Sequence, residues 1–334
     1  MFDAAPLVTL ILIFTASAAA VWIAGIYIAR TTDVLEEYWN LGEALGGMIL
    51  LAIVTNLPEI AITASAALHH DLDLAVGNIL GGIAIQTVVL VILDVFGVGK
   101  SAPLMHRAAS PSLTLEGGLV VAVLSVAVMG SQLPSSLVFA GVTPAGLLIV
   151  VLWVAGLWII KRMCGPRRRR TTVKDKHPNR PSSALVIFLI GALATLAGGV
   201  MLELSSEAIA NKIGMSGAVF GATALAAVTS LPEVSTGLAS VKLKDYELAV
   251  SDIFGGNAFL PVLFMGASLL SGEAVLPHAH RSDIYLAGLG ILLTVVYITG
   301  MVVRSRRQVA RMGLDSLAVL IIYALGMLGL AAIR

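Results

Sequence analysis

Long uninterrupted apolar runs restrict this chain more than any other feature. Leu7 to Ile28, Leu119 to Met129, Leu137 to Ile160 and Ala184 to Val200 contain no charged residue. A helix needs about 20 apolar residues to cross a hydrocarbon core about 30 Å thick. Barrel strands would instead give alternating segments of about 10 residues, a pattern not found here. Charged residues make up 12% of the chain, against roughly 25% in soluble domains. The implied fold class is an all-α integral membrane protein. Ala16-Ser17-Ala18 mimics a leader cleavage site. A leader wants a basic start, however, and Met1 to Pro6 offers only Asp3, so the first run reads as a retained span.

Ten transmembrane helices are expected, at about 6–29, 41–68, 72–97, 113–132, 137–161, 184–204, 216–241, 247–271, 283–303 and 315–333. A basic, proline-containing stretch separates the fifth from the sixth. It holds Arg167, Arg168, Arg169 and Arg170, followed by Lys174, Lys176, Pro178 and Pro181. Placing it in the cytoplasm and alternating outward puts 18 of the 21 basic residues on the inner side, with Lys212, Arg281 and Arg334 outside. That bias is what sets orientation in a membrane. The expected topology is a multi-pass cell-membrane protein with linker 163–183 cytoplasmic and both termini outside. The four arginines are also candidates for contact with anionic lipid.

An internal repeat gives the next constraint. Val54-Thr55-Asn56-Leu57-Pro58-Glu59 returns as Val228-Thr229-Ser230-Leu231-Pro232-Glu233, 174 positions later. The same shift carries Leu74-Ala75-Val76-Gly77-Asn78-Ile79-Leu80-Gly81-Gly82 onto Leu248-Ala249-Val250-Ser251-Asp252-Ile253-Phe254-Gly255-Gly256. Two motifs on successive spans keep one register. The expected organisation is a first five-helix repeat at 1–162 and a second at 184–334, joined by the linker. An odd number of spans per repeat inverts the second half. Inverted repeats with a site between them near the midplane are a recurrent plan of secondary transporters.

The motif residues suit a hard cation. Glu59 and Glu233 lie deep in their spans, where a carboxylate costs at least a few kcal/mol and marks an ion path. Pro58 and Pro232 withhold an N–H from the carbonyls of Val54 and Val228. Freed carbonyls inside a membrane need partners, and a cation is one. Thr55 and Thr229 stand one turn before each glutamate and add further oxygens. An oxygen-only set favours calcium or sodium over zinc or copper. Asp252 is a third candidate acid, and Gly77, Gly81, Gly82, Gly255 and Gly256 read as close-packing positions. The other acids read as ordinary. Glu36, Glu37 and Glu43 are expected to open the second span, and Asp71 and Asp73 the third. Glu203 and Glu207 should form a solvated end of the sixth, and Asp94 should reach water. Cys164 is the only cysteine and cannot form an internal disulfide. His69, His70, His106, His177, His278 and His280 fall between spans, so no histidine metal site is expected inside the membrane.

With these motifs the chain resembles the cation/calcium exchanger superfamily and, within it, the sodium/calcium exchanger branch. That family carries motifs close to G-T-S-x-P-E and G-N-x-x-G-S-N-x-x-N in each inverted repeat, and residues 54–86 and 228–260 are similar to them. The resemblance implies that Thr55, Glu59, Thr229 and Glu233 surround calcium and that Ser230 is a ligand, with Asn56 in place of its partner serine. Where the motif has Ser this chain has Gly82 and Gly256, and where it ends in Asn or Asp this chain has Gln86 and Leu260. The calcium set survives and part of the flanking sodium set does not. The expected function is secondary antiport of calcium for sodium by alternating access. A calcium/proton antiporter and a non-transporting member are the alternatives. No enzyme activity, cofactor or nucleic-acid partner is expected; the partners are inorganic cations (Ca2+ with Na+ or H+) and the lipid bilayer.

Overall fold

The computed structural model of the chain describes residues 2, 5–39, 53–99, 102–139, 141–164, 181–215 and 220–333. The described residues are almost entirely helical. Eight helices among them are long and apolar enough to cross a membrane, and Leu57–Leu68 and Leu314–Leu330 are shorter apolar helices. The start of the second expected span, the first residues of the seventh and Arg167–Arg170 of the linker lie outside the described residues.

Helix α1 runs over Leu7–Trp39. Next come α2 (Leu57–Leu68) and α3 (Leu72–Leu93), the latter ending in a π turn at Asp94–Val98. Short α4 (Leu104–Ala108), α5 (Pro111–Ser131) and α6 (Pro144–Cys164) come after it. Helix α7 covers Pro181–Ile213. A π turn at Gly221–Leu225 leads into α8 (Ala226–Thr229), α9 (Leu231–Lys242) and α10 (Tyr246–Phe259). A 3₁₀ turn at Leu260–Val262 joins α10 to α11 (Leu263–Ser271), and α12 (Arg281–Val303) and α13 (Leu314–Ala332) complete the chain. A two-stranded hairpin, Gln308–Val309 with Met312–Gly313, precedes α13.

The 174-residue shift seen in the sequence reappears in the backbone. It maps both ends of α1 onto α7 and both ends of α2 onto α9. It also maps the start of α3 onto α10. Even the turns agree. His70 and Lys244 both take positive φ, at 60° and 63°. Asp71 and Asp245 then cap the next helix through the amides of Leu74 and Leu248. An aspartate cap is worth about 1 kcal/mol, so each half starts its central helix by the same local chemistry.

Helix α3 occupies the centre, packed against α2, α9, α10, α12 and α13. The largest apolar core lies around it and includes Ile79, Ile83, Leu90, Phe254, Leu293 and Tyr297. Helices α1 and α7 pack chiefly on each other and form a largely exposed layer, whose inner face shares a second apolar cluster with Ile62 of α2 and Leu74 of α3. Lipid gives no hydrophobic drive for helices to pair, so small residues that admit close approach decide such contacts. A side chain at Gly191 would run into Ile28, and one at Gly198 into Val21. The layer also touches the centre through a symmetric pair. A methyl at Gly25 would lie 3.2 Å from the Pro232 ring, and one at Gly199 would lie 2.6 Å from Ala61 Cβ and 3.3 Å from the Pro58 carbonyl.

The sequence expectations differ from the structure at helix ends. Helix α1 continues to Trp39, so Glu36 and Glu37 belong to its last turns and do not open the second span. Helix α7 continues to Ile213, past the expected end at 204. Hydropathy marks where a helix leaves hydrocarbon, whereas backbone hydrogen bonding continues into the polar region. Asp94, expected in water, is instead buried. Its two carboxylate oxygens accept from the amides of Leu104 and Gly313, both at 2.7 Å, tying the end of α3 to α4 and to the hairpin.

Candidate functional site

Both repeated motifs break a helix at the same place. Helical residues 53–55 end at Asn56 (φ −90°, ψ 15°) and α2 begins at Leu57. Helix α8 ends at Ser230 (φ −81°, ψ 0°) and α9 begins at Leu231. Pro58 and Pro232 are second in the new helices, where a missing N–H does no harm to the later turns. The cost falls backwards, on the carbonyls of Val54 and Val228, which receive no amide from the prolines. Glu59 and Glu233 come next, in the first turns of α2 and α9. The favourable end of each helix dipole therefore points at its own carboxylate.

The two glutamates meet. Gln86, on α3, sets its amide nitrogen 3.4 Å from Glu59 Oε1 and 3.4 Å from Glu233 Oε1. The same nitrogen lies 3.5 Å from Asn56 Oδ1. Carboxylate oxygens contributed by α2 and α9 are thus separated by no more than twice a hydrogen-bond length. All four side chains are fully buried or nearly so. Thr229 lies against the Glu59 carboxylate, crossing from one motif to the other. Asn56 fits because its neighbour is Gly256, where a Cβ would stand 2.8 Å from Asn56 Nδ2.

Asp252 joins the same centre from α10. Its Oδ2 accepts from the Thr236 hydroxyl at 2.7 Å, and Thr55 bonds it from across the interface. Glu233 is repelled by both Glu59 and Asp252. Among the described residues, Glu59 Oε2, Glu233 Oε2, Asp252 Oδ1 and Gln86 Oε1 are buried and accept no well-formed hydrogen bond. Each such orphan costs about 1–3 kcal/mol, more when charged. Three acids and an amide carbonyl offering spare lone pairs make the donor set that a hard cation takes.

Most of the expected site residues are thereby together: Glu59, Glu233, Thr55, Thr229, Asn56, Gln86 and Asp252, with Val54 and Val228 on the turns just before the breaks. Ser230 differs, since its hydroxyl donates to its own helix at Ala226 O, 2.7 Å away. The reason is local, because a serine at a helix end readily bonds the carbonyl four residues back. Leu260, where the motif ends, is fully buried hydrocarbon. Thr236, Thr87 and Asn257 are additions that sequence reasoning missed. Asn257 Nδ2 reaches Thr87 Oγ1 at 3.1 Å and Ile83 O at 3.5 Å, linking α10 to α3 beside Gln86. The available signal was an amide directly after Gly255-Gly256 in the helix that already carries Asp252.

Comparison with known proteins fits this geometry. The sequence profile of the family described as "Sodium/calcium exchanger protein" matches residues 9–160 and 183–331. The inner membrane protein YrbG of Escherichia coli is 29% identical over 259 residues, covering 75% of this chain and 77% of that protein. The putative antiporter CaxA of Alkalimonas amylolytica is 27% identical over 274 residues, covering 80% and 82%. Among solved structures, the sodium-calcium exchanger NCX_Mj soaked with sodium and strontium superposes with a TM-score of 0.61 at 16% identity, over 98% of this chain and 100% of that one. Native YfkE gives 0.67 at 15% identity, over 95% and 91%. At such identities the structural likeness concerns the fold alone.

Proposed function

This chain belongs to the sodium/calcium exchanger protein family, and from that premise we propose that it exchanges calcium for sodium across the cell membrane by alternating access. The proposed architecture is ten spans in two inverted five-helix repeats, residues 1–162 and 184–334. The linker at 163–183 lies in the cytoplasm and both termini lie outside. The shared backbone register at a shift of 174 and the 18 inner basic residues support this reading. The proposed calcium ligands are Glu59 and Glu233, with Thr55, Thr229, Asn56, Gln86, Asp252 and the carbonyls of Val54 and Val228 around them.

One observation carries the proposal. A single amide nitrogen, that of Gln86, bonds carboxylates from both repeats. It occupies the kind of position that a cation between them would take. When calcium arrives, the Gln86 amide turns its unsatisfied oxygen inward, and the two negative charges are neutralised. Without an ion, like charges at this spacing are unstable in a low dielectric. The empty site therefore resists crossing the membrane until sodium or protons refill it, which couples the two fluxes. The paired α1–α7 layer, resting on Pro232 and Pro58 through Gly25 and Gly199, is the group of helices that slides against the centre to expose either side.

A second reading is favoured by Leu260. Hydrocarbon fills the place where the family motif would put another acid or amide, and protons need only the glutamates themselves. A calcium/proton antiporter of the same build is the outcome of that substitution. Calcium uptake by proteoliposomes separates the two. Vesicles loaded with sodium should accumulate calcium, and vesicles carrying only a pH gradient should not. The reverse result establishes proton coupling, and no flux under either gradient rejects antiport.

A further inference from the structure

We propose that Asp71, Glu203 and Glu207 form a second cation site, for a calcium-sized divalent ion, at the end of α2 remote from the helix break. One carboxylate oxygen from each residue can be chosen so that all lie within 4.8 Å of one another. Oxygens around calcium sit at about 2.4 Å, so ligands on opposite sides of one ion are about 4.8 Å apart. Three oxygens within that limit share a point at most about 2.8 Å from each, so side-chain shifts of a few tenths of an ångström bring them to calcium distance. The three ligands offered are all carboxylates, a hard oxygen-only set of the kind calcium takes.

Glu203 is the residue that points to a ligand. Its expected place is a solvated helix end, yet its side chain is fully buried. One of its oxygens, Oε2, accepts from the Ser65 hydroxyl at 2.9 Å. The other, Oε1, is buried and has no hydrogen bond among the described residues. Among the described residues the group set against that oxygen is His69, at 3.7 Å, beyond hydrogen-bond distance. Asp71 is half-buried and Glu207 exposed, so the cluster opens to solvent on one side and closes on Glu203 on the other. Repulsion already runs between Asp71 and both glutamates.

The fold does not require this arrangement. The 174-residue shift pairs Glu203 with Ala29, Ser65 with Ala239 and His69 with Leu243. The shift also pairs Asp71 with Asp245 and Glu207 with Asp33, so Glu203 is the member of the cluster that has no acidic counterpart, and the helices of the other repeat still form. Ser65 stands six residues beyond Glu59 on the same helix, on the order of 9 Å along the axis. In the topology proposed above this is the outer mouth. The site would hold calcium at the entrance and raise its local concentration for the central carboxylates. The ion-binding claim does not depend on that orientation or on the counter-ion.

The test is calcium titration calorimetry on the purified full-length protein. With Glu59→Gln and Glu233→Gln together, one calcium per chain should remain bound. Adding Asp71→Asn or Glu207→Gln should weaken that remaining binding about tenfold, since affinity tracks the number of charged ligands. Both added changes are safe for folding, because Asn caps α3 as Asp does and Glu207 is exposed. Absence of binding in the doubly substituted protein overturns the proposal. So does residual binding that both added changes leave within twofold. If wild-type protein binds calcium only at this station, the central site fails and this one stands.

Discussion

The pair α2–α3 and its counterpart α9–α10 share their helix starts and the turn between them. Helix α10 gives way to a 3₁₀ turn at Leu260 where α3 continues, and the side chains of the two pairs do different work. Where the first has Asn78 the second has Asp252; where it has Ile83 and Gln86 the second has Asn257 and Leu260. Asp252 is tied by Thr236 and Thr55, whereas the Asn78 amide is buried with no hydrogen bond among the described residues. Gln86 reaches across to Glu233, and Asn257 reaches back to the carbonyl of Ile83, its own counterpart. The lesson is that symmetry supplies the frame, two broken helices and two glutamates. Asymmetry supplies the wiring that joins them.

The largest expected effect attacks what the halves have in common. Glu59→Gln and Glu233→Gln should each remove calcium-driven flux in proteoliposomes. Breaking a buried charge pairing costs about 3–5 kcal/mol, so calcium binding should fall by at least about 100-fold in either case. A large loss at one glutamate with none at the other would break the symmetry claimed here.

Gln86→Leu makes the first half imitate Leu260. Two carboxylates then lose their shared donor, and hydrogen bonds to charged groups are worth about 1.5–3 kcal/mol. Thermal unfolding without calcium or sodium should shift down markedly, and calcium should recover most of the loss. An unchanged melting point would show that the amide does not bridge.

The glycine contacts should prove unequal. A methyl at Gly199 meets Ala61 Cβ at 2.6 Å, and one at Gly25 meets Pro232 at 3.2 Å. Overpacking costs about 1–3 kcal/mol, and Gly199→Ala should carry the larger share. Exchange rate in reconstituted vesicles is the readout, with Gly199→Ala slower than Gly25→Ala.

The smallest effect lies at the helix entrances. The first half's α3 is tied through Asp73 to His280 at the start of α12, at 2.9 Å. That hydrogen bond raises the His280 pKa above the ordinary histidine value, against a smaller opposing effect of burial. The tie is therefore complete below the ordinary value and is lost as pH rises through the raised one. Both groups are well exposed, so the stability change should be slight. An NMR titration of His280 should move down in Asp73→Asn.

How much of this could be read from residues alone depends on which force decided it. The apolar runs and the paired Pro-Glu motifs were legible, because hydropathy and proline chemistry act locally. Convergence of Glu59, Glu233, Gln86 and Asp252 was foreshadowed by the repeat register, which relates one half to the other. The burial of Asp94 and Glu203 was not legible. Each is set by partners distant in sequence: Leu104 and Gly313 for Asp94, Ser65 for Glu203. Helix ends were also hidden, since α1 and α7 run on into polar sequence that hydropathy does not count.

Soft-metal bridging tests the shared site most directly. With Cys164→Ser removing the natural thiol, Glu59→Cys and Glu233→Cys are combined and cadmium binding is compared with either single cysteine. Thiols from both halves at one ion should bind cadmium about 100-fold more tightly than one alone, as expected when the second contact becomes intramolecular. Equal cadmium affinity in the paired and single proteins would mean that the two positions never meet.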